Sequence, residues 1–247
     1  MLVAMKKLAL VTGAGGGLGR ACVDRLRQSG LTVVASDIRG PSADDAGDFV
    51  RMDVSDEVSV AAAFDEVEGR LGPIAVLVCC AGGTTVTRAH QPSIAETSLA
   101  DWVKTEALNS RGTFLCVREM LRRRTASPVE GGRIVLTSSA AGQRPAVAAG
   151  AAYSASKAAV LGFARTAALE ASRLGMTLNV VAPGGFDTDA YHVTTDEAQR
   201  KRQVEGIPVG RLGRPQEFAA LVQYLVSEDA AYLTGATIDM NGGSRMA

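Results

Sequence analysis

The chain has no charge of either sign in excess: 247 residues carry 26 basic and 26 acidic side chains, a formal charge of zero. It also has no long basic run. Both facts argue against a non-specific nucleic-acid binder, which needs a positive surface to neutralise phosphates. Cysteine is scarce. Cys22, Cys79, Cys80 and Cys116 are the four, none of them in a C-x-x-C spacing, so buried thiols in a reducing compartment are expected rather than disulfide staples, and no metal site. Long apolar runs are missing too. Residues 74–81 form the longest, eight residues against the ~20 that a membrane-crossing helix needs. The N-terminal segment beside Lys6 and Lys7 faintly resembles a signal peptide, but its apolar part is about five residues where a secretory segment needs about 7–15. A cytoplasmic protein with no membrane partner is expected.

What the chain does have is a core and an excess of glycine. With 47% apolar residues it can bury a large interior, which excludes a disordered chain. Glycine numbers 27 and proline 8, too few together for a low-complexity composition but more glycine than the usual share of about 7%. Short apolar, β-branched runs recur at 8–12, 32–36, 49–52, 74–80, 133–137, 177–182 and 237–240. Such runs suit strands buried on both faces of a parallel sheet. Helix-like stretches lie between them at 17–29, 56–71, 99–124, 153–174 and 215–226, with Gly30, Gly72 and Gly175 placed to end three of them. The alternation predicts an α/β fold: a doubly wound, mainly parallel seven-stranded sheet with helices on both faces, in one domain over 1–247.

Two segments break the alternation. Residues 125–132 read as a surface loop after Arg122–Arg124, and that basic cluster reads as a solvated helix end. Residues 184–210 form a long insertion between the last two strands, carrying Tyr191 and His192 and a short helix near 196–204. A loop this long in a compact domain is usually functional.

The first strand runs into Thr12-Gly-Ala-Gly-Gly-Gly-Leu-Gly19. Gly13, Gly16, Gly17, Leu18 and Gly19 then form a tight turn opening a helix. Side chains there would block a pyrophosphate from the backbone amides, and a helix N-terminus favours the anion. A plain strand–helix turn is the simpler alternative. The position after a strand and before a helix favours a dinucleotide site. So does Asp37, which closes the second strand 18 residues after Gly19, with Ile38 beside it, where a carboxylate accepts from ribose hydroxyls. A 2′-phosphate would meet that carboxylate as a like charge, and Gly16 stands where a basic residue would have offset it. NAD is therefore expected over NADP, with Arg39 as the counter-argument. Asp53, followed by Val54, either accepts from an adenine amino group or caps the next helix.

Tyr153 and Lys157 are four apart on a helix-like segment and project from one face. They follow Ser138–Ser139 at the C-terminal end of a strand, where open α/β sheets bind ligands. With these residues the whole chain resembles the short-chain dehydrogenase/reductase family. The resemblance rests on TGAGGGLG, Asp37, Asp53–Val54, Asn109, Ser139, Tyr153-x-x-x-Lys157, Asn179-x-Val181-x-Pro183-Gly184, Thr188 and the C-terminal GATIDMNGG.

The resemblance implies a Rossmann-type fold and an oxidoreductase moving hydride between NAD(H) and a secondary alcohol or ketone. Tyr153 is then the acid–base, helped by Lys157 because a free phenol has a pKa near 10. Ser139, which begins the family's Ser-x-x-Gly pattern ahead of Ser138, holds the substrate oxygen. Lys157 binds the nicotinamide ribose, and Asn109 positions a water that relays protons from Lys157. Ala81 and Gly82 border the adenosine ribose. Pro183 and Gly184 touch the nicotinamide through their backbone, Phe186 packs nearby, and Thr188 reaches the carboxamide or a phosphate. Relatives of this size form homotetramers through their long helices, here rich in Ala158, Ala159, Ala164, Ala167 and Ala168.

The chain departs from the family at Cys79-Cys80-Ala81-Gly82, where Asn-Asn-Ala-Gly is usual, and so lacks an amide that braces neighbouring strands. Adjacent residues of a strand face opposite ways, which argues against Cys79 and Cys80 as a redox pair. The substrate pocket is expected around Gln143, Pro145, Val147, Phe186 and Tyr191, mostly apolar. A small alcohol or ketone therefore fits, with Gln143 and Tyr191 as contacts beside Ser139 and Tyr153. The alternatives are an NADPH-dependent 3-oxoacyl-thioester reductase or, in another class, a non-catalytic dinucleotide-binding sensor, which would not need Ser139, Tyr153, Lys157 and Asn109 together.

Overall fold

The structure is a computed structural model and describes residues 7–41, 48–85 and 92–246. The N-terminal segment before Lys7 and the side chain of Val147 lie outside the described residues. Seven strands alternate with helices: β1 (Leu8–Thr12), β2 (Thr32–Asp37), β3 (Phe49–Arg51), β4 (Ile74–Cys79), β5 (Arg133–Thr137), β6 (Thr177–Pro183) and β7 (Thr237–Met240). They form one sheet in the order β3-β2-β1-β4-β5-β6-β7, every neighbouring pair parallel. The expected doubly wound α/β architecture is what the chain adopts. Between β1 and β4 the winding reverses, which opens a crevice at the C-terminal ends of the strands.

Period-two alternation sorts the strand residues to the two faces. Leu8 and Leu10 join one core with residues of α2 (Glu57–Leu71), α4 (Gly112–Ala126) and α5 (Ala151–Arg173). Ala9 and Val11 join the other with residues of α1 (Gly17–Gln28) and α8 (Pro215–Val226). Both faces are dry, which is why the strands read as continuous apolar runs instead of alternating ones.

Three local expectations change. The helix expected over 99–124 is broken: α3 (Leu99–Glu106) gives way to a wide π-helical turn, Ala107–Arg111, before α4 resumes. Buried Asn109 sits in that turn, and its Nδ2 donates to the Thr105 carbonyl at 3.0 Å. The insertion at 184–210 carries two helices, α6 (Asp189–Thr194) and α7 (Glu197–Glu205). Asp196 caps the second, accepting from the Gln199 N–H at 2.7 Å. The basic cluster is no solvated helix end. Arg124 is 1% exposed and donates to Glu68 at 2.6 Å and to the Ile74 carbonyl at 3.1 Å. Arg123 meets Asp65, Glu68 and Glu119. A carboxylate-rich face of α2 therefore draws two of the three guanidinium groups inward, where paired charges are tolerated.

Candidate active site

The glycine turn is built by close approach. Gly13 adopts φ +66°, and a Cβ there would lie 2.5 Å from the Ala81 nitrogen; a Cβ on Gly19 would lie 2.2 Å from the Gly13 carbonyl oxygen. The loop after β1 is thus pressed against the loop after β4 and against its own helix. At the start of α1, Gly16 provides no side-chain cap and the first turn holds no acid. The free amides and the positive helix end therefore favour an anion. Leu18 is partly buried against the α1–α8 core. This turn fits a dinucleotide pyrophosphate.

Asp37 ends β2 facing the turn. One carboxylate oxygen accepts from the Gly15 N–H at 2.9 Å, and the other accepts from the Arg39 N–H at 3.0 Å and the Arg39 Nε at 3.2 Å. The carboxylate and the arginine, opposed in the sequence reading, are bonded to each other. Ile38 beside them is about half exposed. Asp53 accepts from the Ser55 N–H at 2.9 Å and the Ser55 hydroxyl at 2.7 Å. It does not cap α2: Asp56 does, accepting from the Val58 N–H at 2.9 Å. Val54 is buried, and a Cβ on Gly112 would lie 2.8 Å from its Cγ2.

At the mouth of β4 and β5 the structure brings Ser139, Tyr153, Lys157 and Asn109 together. Ser138 is separated from its neighbour in function: its hydroxyl donates to the Lys157 carbonyl at 2.8 Å, tying β5 to α5. Ser139 opens the turn Ala140–Gly142, where its Oγ accepts from the Ala141 N–H at 3.1 Å. A Cβ on Gly142 would lie 2.7 Å from the Ala158 nitrogen, so this turn lies flat on α5. Lys157 is buried, donates to the Thr137 carbonyl at 2.9 Å and stands 5.8 Å from the centre of the Tyr153 ring. Burial pushes the Lys157 ammonium down to about 8, against a partial upward pull from Cys80 and Cys79. Burial raises Tyr153 above the ordinary phenol, and the Ser139 hydrogen bond draws it part of the way back. Tyr153 is therefore protonated at neutral pH in the chain alone, and is poised to give its proton to a substrate oxygen.

Asn109 is fully buried and brackets Gly83: its Oδ1 accepts from the Gly83 N–H and its Nδ2 donates to the Gly83 carbonyl, both at 2.9 Å. Its own carbonyl accepts from the Thr113 hydroxyl at 2.7 Å. Gly82 lies between these groups at φ +154°, where a Cβ would sit 2.7 Å from Asn109 Oδ1 and 2.9 Å from Lys157 Nζ.

The second half of the chain closes the crevice. Gly184 follows Pro183 at the end of β6 and donates to the Met240 carbonyl at 2.9 Å. Thr188 caps α6 and sits over the glycine turn, since a Cβ on Gly17 would lie 2.8 Å from its Cγ2. Phe186 is buried edge-on against Phe218, 6.1 Å between ring centres, and so supports the loop from inside. Tyr191 donates to Gln203 at 2.8 Å, joining α6 to α7, and His192 pairs with Asp187 at 2.6 Å. Gln143 keeps a buried side-chain oxygen with no partner. Three contributors are not among the expected site residues, although two lie in the quoted glycine motif: the Thr137 carbonyl, the Gly15 N–H and the Thr12 hydroxyl, which accepts from the Ala81 N–H at 3.1 Å. Two are backbone groups, which any residue could supply.

Known proteins resemble the chain over nearly its whole length. A family described as enoyl-(acyl carrier protein) reductase matches residues 13–245. The 3-oxoacyl-[acyl-carrier-protein] reductase FabG of Aquifex aeolicus is 35% identical over 248 residues, 96% of each chain. The FabG of Vibrio harveyi is 34% identical, over 97% of this chain and 98% of its own. Among solved structures, one named ribose-5-phosphate isomerase from Brucella melitensis 16M superposes with a TM-score of 0.87 at 31% identity, covering 97% of this chain and 93% of that one. The structure of gox2181 gives the same TM-score at 29% identity, over 97% and 95%.

Proposed function

Because the chain belongs to the short-chain dehydrogenase/reductase family of oxidoreductases, we propose that it transfers hydride between NAD(H) and a secondary alcohol or ketone, working as one domain. The observation that carries this reading is the meeting of Tyr153, Ser139 and Lys157 beside Gly82 at the crevice of the sheet. When bound, the nicotinamide supplies or accepts the hydride. The residues do the rest. In reduction, the protonated Tyr153 gives its proton to the substrate oxygen that the Ser139 hydroxyl holds against it. In oxidation Tyr153 takes that proton, and the nearby Lys157 ammonium favours the phenolate. Asn109 holds the Gly83 backbone, and so the shape of the loop over Lys157, in addition to the relay role its family position implies.

Gly13, Gly16, Gly17, Leu18 and Gly19 are proposed to hold the pyrophosphate, Asp37 and Ile38 the adenosine ribose, and Asp53 and Val54 the adenine. Ala81, Gly82, Pro183, Gly184, Phe186 and Thr188 complete the cofactor cleft. Asp37 supports NAD over NADP because its carboxylate, held beside the glycine turn at the end of β2, would meet a 2′-phosphate as a like charge. Gln143 is proposed as a substrate contact, since its unpartnered buried oxygen calls for a donor, and Tyr191 as a second. The FabG names favour one further reading, a 3-oxoacyl thioester as the ketone, with NADPH as its cofactor. Turnover of a ketone panel that includes 3-oxoacyl thioesters, with NADH and NADPH in parallel, tests both.

A homotetramer is proposed, with α4 and α5 at its interfaces. Phe114 and Leu169 stand exposed on those helices, whereas Ala164, Ala167 and Ala168 are consumed by the core of the chain itself. Light scattering on a sizing column decides the assembly.

A further inference from the structure

A narrow cleft opens beside Tyr153. It is lined by Thr84, Thr97, Asp101 and Thr105 and by residues 150–153 at the start of α5. The cleft shares its frame with the reacting groups. Thr84 directly follows Gly83, which Asn109 brackets, and the carbonyl of Thr105 accepts from Asn109 Nδ2 at 3.0 Å.

Its walls carry both kinds of hydrogen-bonding group. Ser98 caps α3: its hydroxyl accepts from the Asp101 N–H at 3.0 Å and donates to the Asp101 carboxylate at 2.9 Å. That bond steadies the carboxylate and leaves it further acceptor capacity. Thr105 is 1% exposed, and its hydroxyl lies 2.6 Å from that of Thr85. Two hydroxyls carry two protons and this contact uses one, so the pair retains a donor. Helix α5 starts at Gly150, which has no side chain to cap it, and its first turn holds no acid. The N–H groups of that turn find no partner within the helix and form the positive end of its dipole.

This combination selects what can enter. An anionic group meets the Asp101 carboxylate as a like charge, and a cationic group meets the positive end of α5. An alkyl chain strips water from the carboxylate and the amides and returns no hydrogen bond. A neutral group that both donates and accepts satisfies both walls. The room is about 10 Å³, enough for about one water-sized group. A hydroxyl has that chemistry and that size.

We propose that this cleft binds a hydroxyl group of the substrate, so that the substrate is a hydroxylated ketone or the corresponding polyol. The hydroxyl donates to the Asp101 carboxylate and accepts from the first-turn amides of α5, while the reacting carbonyl lies at Ser139 and Tyr153. Asp101 and Thr105 then determine specificity. The sequence reading expects a mostly apolar pocket; this wall is polar because α3 brings Asp101 and Thr105 to it. The proposal rests on the hydride-transfer reading above and names the class of ketone it serves.

The test offers the full chain a matched set of neutral ketones, 2-pentanone and its 1-, 3- and 4-hydroxy derivatives, with NADH and NADPH in parallel. Turnover is read from reduced-cofactor absorbance, and binding of each ketone to the chain with oxidised cofactor from saturation-transfer NMR. At least one hydroxylated ketone should exceed 2-pentanone in kcat/KM by about tenfold or more. Asp101→Ala should bring that ratio back toward one; a merely damaged fold would lower both rates alike and leave the ratio unchanged. Equal or lower kcat/KM for all three hydroxylated ketones in the wild-type chain overturns the proposal, even if Asp101→Ala fails to fold. A preference that survives in a folded Asp101→Ala chain overturns it too. Absence of turnover with every ketone counts against hydride transfer instead, and the NMR signals then judge the cleft. Saturation of a hydroxylated ketone above that of 2-pentanone, lost in Asp101→Ala, sustains the hydroxyl site; equal signals overturn it.

Discussion

The ammonium of Lys157 donates to the carbonyl of Thr137 at 2.9 Å, so the side chain that flanks the Tyr153 ring also ties α5 to the end of β5. It does so as a buried charge held down to about 8 from 10.5. Below about pH 8 the folded chain bears the cost of burying that charge. Between about 8 and 10.5 the unfolded chain binds more protons than the folded one, so this group's contribution to stability rises with pH. Lys157→Met should therefore gain stability relative to wild type at pH 7, and that relative gain should shrink by about 3 kcal/mol toward pH 10.5. Denaturant unfolding at a series of pH values checks it; a pH-independent difference would contradict it.

Tyr153→Phe removes the one proton that the site is built to give, while the ring remains to fill its place. Turnover should fall by about 10²–10⁴-fold, and dinucleotide binding should stay within a few-fold of wild type. Steady-state kinetics with fluorescence titration separates the two effects.

Arg39 and Asp37 are bonded to each other, so changing either one changes what the other offers the cofactor. Asp37→Ser removes the like charge facing a 2′-phosphate and frees Arg39 to meet it. Two unit charges ~4 Å apart interact by about 1 kcal/mol in water and about 4 kcal/mol near a protein surface, so NADPH affinity should rise by about fivefold or more. Arg39→Ala on that background should cancel the gain. Both are read by titration with NADH and NADPH.

Gly82→Ala forces a side chain into the gap between Asn109 Oδ1 and Lys157 Nζ, at a φ that favours glycine. Stability should drop by about 1–3 kcal/mol, and turnover should fall further than the melting temperature alone explains. A variant with wild-type turnover would show that the loop and the ammonium move independently.

Most of this architecture is legible in the sequence, for physical reasons. Strands β1, β5 and β7 fall where the apolar runs place them because parallel strands are dry on both faces. Ser139, Tyr153 and Lys157 are legible because chemistry demands those side chains at fixed offsets. The break at Ala107–Arg111 is not, since a π-helical turn costs one extra residue and leaves the apolar period nearly intact, with no proline to mark it. Nor is the burial of Arg123 and Arg124, which depends on Asp65 and Glu68 arriving from a helix more than fifty residues away. The opposite facing of Cys79 and Cys80 is legible, by contrast: Cys79 lies in one core and Cys80 packs against the other, as adjacent residues at a strand end should.

The most direct test of hydride transfer through Tyr153 follows reduced-cofactor absorbance while wild-type chain and Tyr153→Phe turn over a panel of ketones and secondary alcohols, 3-oxoacyl thioesters included, with NADH and NADPH side by side. Wild type should turn over at least one of these substrates, faster with NAD(H), and Tyr153→Phe should lose that turnover. Turnover that survives the loss of the Tyr153 hydroxyl, or that runs with NADPH in preference to NADH, would contradict it.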